Sequence, residues 1–315
     1  MTQIPAAPAA SAPPEKHADW LELLALSSPD KNSSFQDLIK EFRHSGSVDA
    51  LGEDDSVEKF TDKGSERSQL LAEEAFNEIS DRHDACGIVA SSYAFDISAQ
   101  YIQARQQYDQ SIYAFLLLLS KFGKDAGPDT IDLLDLFDKI SGSAASEYMG
   151  GPTAGVQFYL FGFPRRVAPP GFRDALDDLC NRLGEGGGSK DGPTRKNQKD
   201  AKLDIAVWRA FNDGRVGKFI GFGQCATGED WPKKLTELQP TNFIKKWMHK
   251  PLAVDPIRLF FTPHRVPYSG WEDDSIDGGV LFDRCRISAL TRDLDDTLVR
   301  ECRKWTRFVI RKHLK

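Results

Sequence analysis

The stretch from Lys199 to Lys234, KDAKLDIAVWRAFNDGRVGKFIGFGQCATGEDWPKK, leaves this chain the fewest ways to fold. Leu203 to Phe211 is rich in β-branched and aromatic residues, Asn212-Asp213-Gly214 follows as a turn, and Lys218 to Gln224 is a second apolar run. Two such runs around an Asn/Asp-Gly turn predict a hairpin. Asp204 opens the first strand and Gln224 closes the second, so antiparallel pairing carries both polar ends to one side of the sheet. A carboxylate and a carboxamide oxygen are hard ligands of the kind Mg²⁺ accepts while it keeps waters and a substrate phosphate. Immediately afterwards, Asp230 with Pro232 behind it marks a helix start that contains Lys233 and Lys234.

This pattern resembles the PD-(D/E)xK phosphodiesterase superfamily, the restriction-endonuclease-like nucleases. The resemblance covers Gly155 to Leu290 and implies an α/β fold: a mixed-sheet restriction-endonuclease-like core preceded by an all-α helical domain. It implies a nuclease that uses Mg²⁺ or Mn²⁺ to cleave phosphodiester bonds, with a role in bacterial restriction or phage defence. Asp204 matches the first acid of the family motif and Gln224 the glutamine form of the second. Ala226 stands where the family has its lysine, so Lys234, and after it Lys233, is expected to reach back as a displaced lysine. The family also places an acid on a helix before the hairpin. Gly171 to Gly188 has Phe172, Leu176, Leu179 and Leu183 at helical spacing and ends in glycines, so Asp174 and Asp177, with Asp178, are candidates for a further oxygen ligand. The commoner role for such acids is the solvated outer face of a helix.

Without its lysine at position 226, such a core could instead be an inactive module that binds nucleic acid or a partner protein. Other chemistries are poorly served by the sequence. Gly184 to Gly188 follows a helix and lacks a Gly-Lys-Ser/Thr ending, which argues against a phosphate-cradling loop. No histidine pair at helical spacing accompanies a glutamate, so a zinc hydrolase is not supported. Cys225 with His264 suggests a thiol nucleophile, but a residue next to Gln224 on a strand points to the opposite face. His264 and Arg265, after the strand-like IRLFF, suit phosphate contact or a structural role, and Lys196 belongs to a Gly, Ser, Lys and Arg loop, 186–197, suited to substrate contact.

The 315 residues suffice for two domains. Residues 1–14, rich in Ala and Pro, read as a disordered tail, and 15–150 as an acidic helical domain with helices expected over 19–51, 56–83, 97–122 and 130–140. Glycines at 150 and 151 suggest the boundary, with 151–315 as the basic nuclease-like domain and a final helix over 294–314 whose outer face carries Arg300, Arg303, Lys304, Arg307, Arg311 and Lys312. Residues 1–150 hold 12 basic and 26 acidic side chains, the remainder 29 and 21. That asymmetry points to nucleic acid, with DNA foremost, as the partner of the second half, or to attraction between the halves, including self-association. Five scattered cysteines with no C-x-x-C pair read as reduced thiols. No apolar run is long enough to span a bilayer and no secretory pattern opens the chain, so a cytoplasmic protein that does not engage a membrane is expected.

Overall fold

The structure, a computed structural model, describes residues 6–44, 57–87, 92–192, 199–291 and 294–314. The chain divides into two compact units, Met1–Leu118 with Cys302–Lys315, and Leu119–Glu301. It is mixed α/β throughout.

In the first unit, α1 (Pro14–Ser27), α2 (Phe35–His44) and α3 (Val57–Ala85) pack together with three short antiparallel strands, β1 (Asn32–Ser34), β2 (Phe95–Ile97) and β3 (Tyr101–Ala104), in the order β1-β3-β2. The all-helical expectation is thus corrected. Two features of the sequence hid the strands. The segment AQYIQARQQ is made of good helix formers, and strands of three or four residues are too short to show a period of two. The expected helix over 97–122 is only α4 (Ile112–Phe122). The tail expectation also changes: residues 1–5 lie outside the described residues, but Ala10 is buried and His17 Nε2 donates to the Ala9 carbonyl (3.0 Å). At the centre of the unit the fully buried Arg82 guanidinium binds Asp19 (2.8 Å), Glu22 (2.9 Å) and Glu78 (2.7 Å), and Tyr93 and Tyr113 donate to Glu22. A buried cation is tolerated because carboxylates surround it and accept from its N–H groups.

The second unit is built on a five-stranded mixed sheet: β4 (Val156–Leu160), β5 (Ile205–Arg209), β6 (Phe219–Cys225), β7 (Ile257–Phe261) and β8 (Val280–Phe282), in that spatial order. β5 runs antiparallel to both its neighbours, β4 and β6, and β7 and β8 continue the sheet parallel to β6. The predicted hairpin is therefore its centre, with Ile205 opposite Gly223 and Arg209 opposite Phe219. On one face α6 (Phe172–Leu183) and α7 (Pro240–Trp247) bury Leu176, Leu179, Phe243 and Ile244 against Trp208, Ile220 and Phe222. On the other, α5 (Leu133–Tyr148) crosses β4, β5 and β6. Gly142 permits this approach, because a Cβ there would stand 2.6 Å from the Phe158 ring. α8 (Trp271–Gly278) and α9 (Arg284–Ala289) lie along β7 and β8, and α10 (Asp296–His313) returns to the first unit. The division falls ahead of α5, not at Gly150, because α5 finds its apolar partners on the sheet. No helix among the described residues is long and apolar enough to cross a membrane.

Candidate functional site

Asp204 sits just before β5 and is fixed by its backbone. Its N–H donates to the Gly223 carbonyl (2.9 Å), and its own carbonyl accepts from Phe161 N–H (2.7 Å) and Gly162 N–H (3.0 Å). The end of β4, the start of β5 and the end of β6 thus meet at one residue. The Asp204 carboxylate accepts from the Cys225 N–H (2.7 Å). A second carboxylate reaches the same place from α5. Asp138 Oδ2 and Asp204 Oδ1 are each 3.1 Å from the position a Cβ on Gly162 would occupy, so the two oxygens lie within about 6 Å of one another. Gly162 leaves the space between them open.

The electrostatics follow from this crowding. Burial, together with neighbouring acids, pushes Asp138 up to about 7, against a hydrogen bond from the Cys225 thiol that favours its charged form. Burial first, and then the Asp138 charge, raises Asp204 well above the usual carboxylate range; the Cys225 amide and Lys202 pull the other way. The two acids titrate as a pair that resists carrying two negative charges at neutral pH. Burial and both carboxylates push the Cys225 thiol well up, so it stays protonated and is no activated nucleophile. A small cavity of about 20 Å³ adjoins Asp138 and Gly162, with Asp135 and Arg166 in its wall, enough for one water-sized guest.

Gln224 lies one step beyond the Ile205–Gly223 pair, on the face opposite Cys225. It is almost wholly buried. Its Nε2 donates to Glu237 Oε2 (2.8 Å), an oxygen that also holds the Lys202 ammonium (3.0 Å), while Gln224 Oε1 has no hydrogen-bond partner among the described residues. A buried carbonyl oxygen without a donor is a costly arrangement that a cation or a ligand donor would relieve.

The structure brings Asp204 and Gln224 to neighbouring strand ends, as the hairpin predicts, and holds the other expected residues elsewhere. Lys234 is paired with Asp230 (2.9 Å) one helical turn back, and Lys233 is exposed on the same single 3₁₀ turn, Trp231–Lys234. That turn therefore closes on its own acid, and the contact Lys234 makes is with Asp230 in place of Asp204 or Gln224. Asp174 folds back against Gly171 at the start of α6, and Asp177 accepts from Ser189 N–H (2.5 Å), pinning the glycine loop. Asp178 pairs with Arg182 (3.1 Å). None of these α6 acids takes part in the Asp138–Asp204 pair. His264 Nε2 donates to the Thr227 carbonyl (3.2 Å), and Arg265 binds the buried Asp283 (2.8 Å), which caps α9, so both serve the fold. Lys196 lies outside the described residues.

Asp138, Lys202 and Glu237 were missed by sequence reasoning. A signal for Asp138 exists: IDLLDLFDKI places Asp132, Asp135 and Asp138 at intervals of three within an otherwise apolar helix. Neither the family models, nor the curated proteins, nor the solved structures compared with this chain match it. Among the described residues no group of three or more His, Cys, Asp and Glu side chains is arranged to hold a metal ion. Two carboxylates nonetheless fit Mg²⁺, which characteristically takes one or two protein carboxylates and completes its shell with waters and phosphate oxygens.

Proposed function

We propose that this chain is a metal-dependent nuclease on a restriction-endonuclease-like core. The observation that carries this reading is the Asp138–Asp204 pair, an acid from a helix and an acid from a strand start flanking Gly162, with burial and neighbouring acids raising Asp138 and burial and Asp138 raising Asp204. Such a pair is relieved by a divalent cation and is otherwise relieved only by a proton. Asp138 and Asp204 would hold the cation, the rest of its shell being waters and phosphate oxygens. A cation bound there supplies charge neutralisation at a phosphate and a water acidic enough to attack at neutral pH. Lys202, the lysine whose charge is felt at Asp204, provides the positive charge that Ala226 cannot.

The test is cleavage of single- and double-stranded DNA and RNA with Mg²⁺ or Mn²⁺, comparing the wild type with Asp204→Asn and Asp138→Asn. Each substitution is expected to lower the rate by about a hundredfold or more, and to abolish the rise in melting temperature that Mg²⁺ gives the wild type. No cleavage of any nucleic acid by the wild type, with binding retained, would establish the inactive module instead. The buried Ala226 and the engagement of Lys202 by Glu237 favour that second reading.

A further inference from the structure

Gly162, which separates the two carboxylates, is followed at once by Phe163-Pro164-Arg165-Arg166-Val167, a loop braced at three points. Arg165 donates to the Lys199 and Pro170 carbonyls and lies over the buried Phe161 ring, 4.7 Å from its centroid. Arg166 binds Asp132, the cap residue of α5 (Nε to Oδ2, 2.7 Å). Gly162 itself is tied to the Asp204 carbonyl. On this fixed loop the Phe163 ring is 48% exposed, and the Lys199 ammonium stands 5.3 Å from its centroid.

A half-exposed aromatic ring, with a long-stemmed cation beside it, is held here one residue from the glycine between the acids. From this placement we infer that Phe163 is a stacking platform for an unpaired base, so that the site takes single-stranded nucleic acid, with Lys199 moving from the ring to the adjoining phosphate. A phenyl face can stack only on a base face, and in a duplex those faces are covered by neighbouring bases. The duplex grooves offer edges and phosphates instead. The inference rests on the nuclease reading for the role of the neighbouring carboxylates, but it predicts binding independently of cleavage.

The experiment uses the full chain carrying Asp204→Asn, with a short fluorescent oligothymidylate and a duplex of matching length titrated by anisotropy. Adding Phe163→Ala is expected to weaken single-strand binding by about tenfold while leaving duplex binding and the melting temperature unchanged, and Phe163→Trp to restore it. A fluorescent base analogue in the strand should report stacking with Phe163 or Trp in place and lose that signal with Ala. Equal single-strand affinity of the parent and Phe163→Ala, equal loss on both nucleic acids, or no single-strand binding by the parent overturns the inference. Wild-type cleavage is scored separately. Cleavage without any Phe163-dependent binding removes the ring's role and keeps the nuclease reading, whereas Phe163-dependent binding without cleavage does the reverse.

Discussion

At the residue scale, the acid pair makes a prediction that needs no substrate. A carboxylate whose pKa is raised on folding binds its proton more tightly in the native state than in the unfolded chain. Between the ordinary Asp value, 3.8, and about 7 for Asp138, the native state therefore holds the greater number of protons. In that window stability falls as pH rises, because the slope follows unfolded minus native protons bound. The stability the protonated pair contributes is complete below the unfolded value and is lost as pH climbs through the folded one. Melting temperature measured without divalent cations should thus decline from about pH 4 to about pH 7, and Asp138→Asn, which cannot ionise, should flatten the decline. Mg²⁺ at the upper end of the window should recover much of the loss in the wild type and little in the variant. Identical pH curves for the two proteins would mean that the pair is not strained. Asp204 and Gln224 were legible in the sequence because a hairpin fixes both ends of two strands. Asp138 was not, because only the packing of α5 across β4, β5 and β6 brings it to Gly162, and a hairpin says nothing of which helix will cover it.

At the element scale, the sheet's second-unit face under α5 is cut to fit by glycine. A Cβ on Gly223 would stand 2.7 Å from Cε2 of Phe261, and one on Gly221 the same distance from Leu259 Cδ1 and 3.0 Å from Val207 Cγ1. Leu259 can shift its methyl end. Phe261 is fully buried and stacked on Phe282 at 4.7 Å, so it cannot turn aside. Gly223→Ala should therefore cost about 1 to 3 kcal/mol and exceed Gly221→Ala, read as a lower urea midpoint at unchanged slope. The reverse order would place the tight contact at Leu259. The GFG alternation within β6 explains why this strand read clearly: large residues at 220 and 222 meet α6 and α7, and small ones face the other way. α6 and α10 were equally plain from their helical periods. β1, β2 and β3 were not, since all three are very short and β1 is held by pairings such as Ser33 with Ile102 that join distant parts of the chain.

At the scale of the whole molecule, the path of the chain changes the meaning of its charge. Cut at residue 150, the sequence has an acidic half and a basic half. Counted over the two structural units, Met1–Leu118 with Cys302–Lys315 carries 15 basic and 20 acidic side chains, and Leu119–Glu301 carries 26 and 27. Most of the apparent polarity disappears, because the basic end of α10 belongs with the acidic unit. There Arg303 and Arg307 bind the nearly buried Asp109, and Trp305 meets Phe115 edge-on at 5.2 Å. Attraction of a polyanion by the second unit must then come from local charges such as Lys199 and Lys202, not from a net positive field. The same path makes the second unit an insertion between two segments of the first, and a truncation ending at Glu301 separates the stability of the one from that of the other. It removes Cys302, Trp305, Val309 and Ile310 from the first unit's core, and losing a buried Trp alone costs about 3 to 5 kcal/mol. The first unit should therefore lose its cooperative transition, with amides of α1 and α3 exchanging freely. The second unit keeps every strand of its sheet, so amides of β5 and β6 should stay protected. Loss of protection in β5 and β6 equal to that in α1 would show that the two units fold as one.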